Sequence, residues 1–375
     1  MPFAAAISEH PLATHAIGEV VGQVLEQLGP DPDAAVLFAT APFAGAFEDL
    51  AAAVRATLAP RCLVGATAMS VIGGGCEVEG TAAISLFAAR LDDEVRTVRL
   101  DAGGGDGRRR TDHELAGAQG TMLLLAEPRF SVGAHLDELA VVAPELQVLG
   151  GIASAPGGNR LAADEVVTDR GAVALVLPGS VAATPVVSQG ADAVGEPLVV
   201  TRATGSMIDE IAGRPALDLL LAVAAEASPE DRARLARGIE LGVAVDERTP
   251  ELERDDFLLV RVLGADKQRR AVAVGREVAV GTTVQFHVRD RAAADADLRA
   301  LLAGAPGRAA LAFCGTGRGT ELFGEPHHDA AIVYEHVESG AVAGMFSAGE
   351  IGPIGGRAAL HERTASVLLL DEARR

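Results

Sequence analysis

At 375 residues the chain exceeds what one ordinary core holds, so two domains are expected. Apolar residues make up 49%, but Trp is absent and Tyr334 is the one tyrosine, which argues against aromatic platforms for nucleic acid or sugar. With 32 basic against 52 acidic residues the formal charge is −20, and no basic stripe exists to displace counterions from a duplex.

Near the N-terminus Ile17, Val20, Val21, Val24, Leu25 and Leu28 fall at helical spacing between Pro11 and Gly29, an amphipathic helix rather than a signal peptide. A unit follows that recurs three times: apolar strand, helix, second strand ending at a glycine, glycine-rich loop, third apolar strand. Its opening strands are 35–40, 121–126 and 309–313, and its turning glycines are Gly65, Gly150 and Gly344. The loops are 67–80, 153–160 and 347–361, and the closing strands 84–88, 173–177 and 367–370. Helices are expected over 47–58 and 135–142, and a flexible turn over 102–107.

Between the second and third units lie signals of another kind. Strands 197–202 and 206–211 flank a turn, Pro215 opens a helix to about 227, and Ser228-Pro229-Glu230 caps a charged helix to about 238. Strands 241–245, 256–263, 271–274 and 282–288, divided by polar turns, predict an antiparallel meander. A helix over 292–302 leads into the third unit. The domains are therefore placed at 1–205 and 206–375. Continuously apolar strands such as 122–126 predict sheets covered on both faces. The fold class is mixed α/β, with repeated strand-helix-strand-strand units forming layered sheets and outer helices.

Cys62, Cys76 and Cys314 have no paired spacing, so a disulfide framework or zinc knuckle is not expected and a reducing cytoplasm fits. The best apolar run, 217–227, is too short to span a bilayer. The basic runs Arg108–Arg110 and 267–270 read as hairpin tips, leaving no nucleic-acid partner and no membrane insertion.

An ordered set of motifs carries a resemblance. In the first half these are 64–80 (VGATAMSVIGGGCEVEG), 82–88 (AAISLFA), Ser188-Gln189-Gly190 and 208–216 (IDEIAGRPA). In the second they are Phe257–Asp266 (FLLVRVLGAD), 285–290 (QFHVRD), 317–324 (GRGTELFG), 344–353 (GMFSAGEIGP) and 361–366. The chain resembles the FIST family, with an N-terminal and a C-terminal FIST domain. The resemblance implies a cytoplasmic sensory input module for a small ligand, with amino acids proposed, working through a separate signalling output protein. The family pattern has cysteines where this chain has Ala66 and Gly315, so no thiol-dependent role is carried over.

Several residues invite chemistry. Arg318, on the glycine loop 315–320, can clamp a ligand carboxylate or make a structural salt bridge. Glu350 can bind a ligand ammonium, pair with Arg318 or Arg357, or brace its own loop. His361 ends the same loop as base or structural donor. Thr67 and Glu77 lie in the corresponding loop of the first domain, which could close over a ligand. His327, His328, Asp329 and His336 lack zinc spacing, and Ser70, Ser154, Ser188 and Ser347 lack a nucleophile elbow. The expected ligand site is thus Arg318, Glu350, Arg357, His361, Thr67 and Glu77, with no cofactor, no metal and no catalytic residue. Two other readings stay open: a metabolite enzyme using Glu350 and His361 as acid–base groups, and a docking scaffold without a small ligand.

Overall fold

A computed structural model describes residues 2–371 apart from 92, 101–114, 237, 249–251 and 253–255. The turn expected at 102–107 and the basic run Arg108–Arg110 lie outside the described residues. The chain divides into two compact units: one from residues 1–188, 298–353 and 358–375, the other from 189–297 with 354–357.

The first unit is the threefold repeat, and its mixed α/β character is as expected. In the first repeat, strand Ala34–Thr40 runs parallel to Cys62–Ala68 through helix Phe47–Thr57, and Ile84–Ala89 closes the set antiparallel. The second repeats this with Gly120–Ala126, helix Val132–Val142, Leu146–Ile152 and Ala172–Leu177. The third uses Ala309–Gly315, helix His328–His336, Ala341–Ser347 and Ala365–Asp371. Each closing strand also pairs with an edge strand that opens its repeat, Phe3–Ser8, Arg96–Leu100 and Ala182–Ser188 respectively. In the first repeat the edge strand is followed by helix Ala13–Leu28. In the third, residues 189–297, which include the first half of helix Arg291–Ala303, come between the edge strand and the rest of the repeat, which breaks the first unit in sequence.

The glycine-rich loops are β-hairpins, and each is lent to another repeat. Hairpin Ser70–Gly73/Cys76–Glu79 pairs with strand Ala341–Ser347 of the third repeat. Hairpin Leu161–Ala163/Val166–Thr168 pairs with Cys62–Ala68 of the first. Hairpin Glu350–Ile354/Arg357–His361 pairs with Leu146–Ile152 of the second. The exchange is cyclic.

The strands are continuously apolar because their two faces enter different cores. Val36, Phe38, Leu123, Leu125, Leu311 and Phe313 fill one cluster shared by the three sheets, where Phe38 and Phe313 meet edge-on at 5.8 Å. The alternate residues Leu37, Leu124 and Ala312 enter three separate clusters, two of them under the helices Phe47–Thr57 and Val132–Val142. Period-2 alternation is present, but both phases are apolar. The turning glycines mark a close approach. A Cβ at Gly65, Gly150 or Gly344 would lie 2.5, 2.0 or 1.9 Å from the carbonyl oxygen of Leu37, Leu124 or Ala312, its partner in the parallel register.

The second unit is a ring of antiparallel strands. Glu240–Ala244, Phe257–Asp266 and Ala271–Val274 follow the expected meander. The meander breaks at Thr283–Arg289, which pairs back with Glu240–Ala244 and with the long strand Ala191–Thr204. Met207–Ile211 joins Ala271–Val274 to Ala191–Thr204 and closes the ring, leaving no long open edge among these strands. Val272, Val274, Val284 and Phe286 pack under helix Ala216–Glu226 through Leu219 and Leu220.

Candidate functional site

The strand Ala309–Gly315 delivers the chain into a tight turn in which Arg318 N–H donates to the Gly315 carbonyl at 2.8 Å. Glycine is required here by crowding. A Cβ at Gly315 would sit 2.6 Å from Arg363 Cα and 3.0 Å from Glu350 Oε2. Gly319, at φ +60°, would meet the Phe346 ring at 2.8 Å. The turn aims the Arg318 side chain inward, where it is completely buried.

Its partner is Asp329 in the first turn of helix His328–His336: Nε donates to Oδ2 at 2.6 Å and Nη2 to Oδ1 at 2.9 Å. Arg318 also stands 5.4 Å from the Phe323 ring centre, on which His328 stacks. Burial alone would push the Asp329 carboxyl up, but the Arg318 charge and hydrogen bonds hold it below the ordinary carboxylate range. Burial would likewise lower Arg318, and Asp329 reverses that too. One nitrogen, Arg318 Nη1, is buried without a hydrogen-bond partner among the described residues.

The borrowed hairpin brings two more carboxylates. Glu77 N–H donates to His327 Nδ1 at 2.9 Å, and Glu77 Oε1 accepts the Ala330 N–H at 3.0 Å, capping the helix from outside its own repeat. Glu79 Oε1 accepts from Thr320 N–H and Oγ1–H at 3.0 and 2.7 Å. Burial, then the nearby Asp329 charge, pushes the Glu77 carboxyl up to about 7, against the smaller pull of the Ala330 N–H. Burial likewise pushes the neighbouring Cys314 thiol well up, leaving it a poor nucleophile.

The other expected residues are dispersed. Glu350 is fully buried, and its Oε2 accepts from Thr364 N–H and Oγ1–H at 2.9 and 3.1 Å. It flanks Gly315 as Arg318 does, and its charge is among those acting on Arg318, but the Arg318 hydrogen bonds go to Asp329. His361, also buried, sits with Nε2 3.1 Å from the Gly352 carbonyl. Arg357 is exposed and belongs to the second unit. Thr67 clamps the backbone of Arg160: its N–H donates to the Arg160 carbonyl at 3.0 Å and its Oγ1 accepts the Arg160 N–H at 2.8 Å. His336 Nε2 lies 2.7 Å from the Ala305 carbonyl, and no cluster of metal-ligating side chains occurs among the described residues.

Thr67 leads to a site that motif reading missed. A cleft of about 340 Å³ opens between Glu127–Arg129 and Gly158–Arg160, with Asp169 at its rim. Glu127 directly follows strand Gly120–Ala126 and is buried, with only 4% of its side chain exposed.

 The Glu127 carboxylate thus stands on the floor of the cleft, and its charged partner, Arg129 Nε at 3.2 Å, is itself 79% exposed. The half-buried Arg160 guanidinium donates to its neighbour's carbonyl, Asn159 O, at 2.9 Å, and no carboxylate pairs with it among the described residues. Asn159 Oδ1 accepts the Ala155 N–H at 2.8 Å and fixes the loop, while Gly158 at φ +147° keeps the wall free of a side chain. A buried carboxylate and a guanidinium with no carboxylate partner among the described residues therefore line one open cleft. The only sequence signal for it was position: Glu127 follows its strand where the loop of the third repeat follows its own.

A second cleft of about 330 Å³, lined by Arg55, Arg61, Asp164 and Glu165, is internally satisfied. Arg55 pairs with Glu165, Arg61 with Asp33, and Asp164 Oδ1 accepts the Leu63 N–H.

With fold and geometry in place, comparison with known proteins defines the class. Residues 33–214 match the FIST N domain and residues 216–353 the FIST C domain. The chain belongs to the FIST family, whose domains are associated with sensory modules of signal transduction. It is similar to an uncharacterized protein of Mycobacterium tuberculosis, 37% identical over 383 residues that cover 97% of this chain and 98% of the relative. An uncharacterized protein of Mycobacterium bovis is 37% identical over 372 residues, covering 96% of each chain. No helix among the described residues is long and apolar enough to cross a membrane.

Proposed function

We propose that this protein is a sensory module that takes up a small zwitterion, such as an amino acid, in the Glu127–Arg160 cleft and reports occupancy to a separate output protein. The observation that carries this reading is a buried carboxylate and an arginine with no acidic partner among the described residues, both lining a space of about 340 Å³. Glu127 suits an ammonium group and Arg160 a carboxylate, and the volume suits a metabolite of amino-acid size. Thr67, in strand Cys62–Ala68, clamps the Arg160 backbone and Asn159 ties the same loop to Ala155, so the loop that carries the cation is anchored to a strand.

The test is thermal unfolding of the full chain with each of the twenty amino acids. Binding to the folded state alone raises the midpoint; a ligand at 100 times its Kd adds about 2.7 kcal/mol. We expect one chemical class to raise it, and Arg160→Ala or Glu127→Gln to abolish the rise. No shift with any amino acid, or a shift indifferent to both substitutions, would overturn the reading.

A further inference from the structure

The Glu77–Arg318–Asp329 cluster shares no residue with the cleft and has a different chemistry. Its hairpin, Ser70–Gly73/Cys76–Glu79, is borrowed by the third repeat. Besides the strand pairing, two glutamates hold it to segment 320–330: Glu77 through His327 and Ala330, Glu79 through Thr320. The cluster has one guanidinium, and Asp329 takes two of its hydrogen bonds. Glu77 is a second carboxylate in the same buried space, 2% exposed, with Oε2 lacking any hydrogen-bond partner among the described residues.

We propose that Glu77 is a proton-binding site whose occupancy governs how firmly the borrowed hairpin is seated. The groups around it decide the sign. Its own hairpin adds Glu79, the strand and turn 309–319 add Cys314 and Arg318, and the facing helix adds Asp329 and His328, with His327 just before it. Ionised, Glu77 puts a further negative charge beside Asp329 and Glu79 with a single guanidinium for all three. Protonated, it sheds that repulsion while Oε1 still accepts the Ala330 N–H. His327 must keep the Nδ1 lone pair to accept the Glu77 N–H, so its ring proton belongs on Nε2. Because burial and Asp329 push the Glu77 carboxyl up to about 7, the Glu77 contribution to the seating is fully present below the ordinary carboxylate range and is lost as pH rises through about 7. This inference is independent of whether the cleft binds a ligand.

Hydrogen–deuterium exchange on the full chain tests it, read from about pH 5.5 to about pH 8.5 and corrected for intrinsic exchange. Amides of 70–79 should lose roughly tenfold protection across that range while the strands of the second repeat hold theirs. Glu77→Gln, which keeps an acceptor oxygen, should make the protection independent of pH; Glu79→Gln should leave the dependence in place. An equal loss in Glu77→Gln, or no loss in the native chain, would overturn the proposal. Should Glu77→Gln not fold, carboxyl-carbon NMR of the native protein decides: a Glu77 midpoint near neutrality supports it, and one in the ordinary carboxylate range sinks it.

Discussion

The loops that follow the first strands of the second and third repeats occupy the same place in the scaffold but differ in chemistry. Leu124 and Ala312 face the turning glycines Gly150 and Gly344, and three residues later come Glu127 and Gly315. Each of these then donates its N–H to a carbonyl just before the closing strand, Gly171 O or Thr364 O. In the third repeat the position must be glycine, because Arg363 and the Glu350 carboxylate occupy the space a side chain would need. In the second it carries a carboxylate of its own, and the space beside it is open. Thr40 holds the equivalent place in the first repeat, where its Oγ1 accepts the Ala83 N–H at 2.8 Å and nothing is left over. One scaffold position is thus self-satisfied once, blocked once and available once, which is why we propose the cleft and not the glycine-arginine loop as the receptor.

Substitutions can break this contrast, and the largest effects belong to the closed side. Asp329→Asn strands a buried guanidinium and should cost about 3–5 kcal/mol in chemical unfolding. Gly344→Ala forces a Cβ onto the Ala312 carbonyl and should cost about 1–3 kcal/mol, or more if the sheet cannot yield. On the open side Glu127→Gln should change unfolding little, since its charged partner is mostly in water, yet remove ligand-dependent stabilisation. Across pH the two carboxylates of the cluster behave oppositely. Asp329, held down, contributes stability that persists until pH falls below the ordinary carboxylate range, whereas that of Glu77 is lost as pH rises through about 7. The difference between native and Glu77→Gln midpoints should therefore change between mildly acidic and mildly alkaline buffer. Arg55→Ala, which breaks an exposed pair with Glu165, should leave the midpoint within error.

The repeated strands and their glycines were legible because a strand buried on both faces and a contact that excludes Cβ leave direct marks on composition. The partner of each hairpin was not. Residues 70–79 carry apolar Val71, Ile72 and Val78, a pattern that fits an edge beside any strand, and their true neighbour lies some 270 residues onward, at 343–345. The two-domain expectation read the second half as one continuous piece, while contacts group 298–353 with the N-terminal residues. At the site, Arg318 was readable as either clamp or salt bridge, and Asp329 takes it as the latter. Glu127 and Arg160 belong to no motif; only tertiary structure brings them to one space, by way of the Thr67 clamp.

The cyclic lending of hairpins has a consequence for synthesis. The seat for 70–79 is strand Ala341–Ser347, and the partner of edge strand Ala182–Ser188 is Ala365–Asp371, so the first repeat's sheet has all its strands by residue 168 while those of the second and third wait for residues 350–371. A nascent chain halted at residue 188 should leave those two segments without their partners and open to protease, with acquisition of resistance waiting on the last strand.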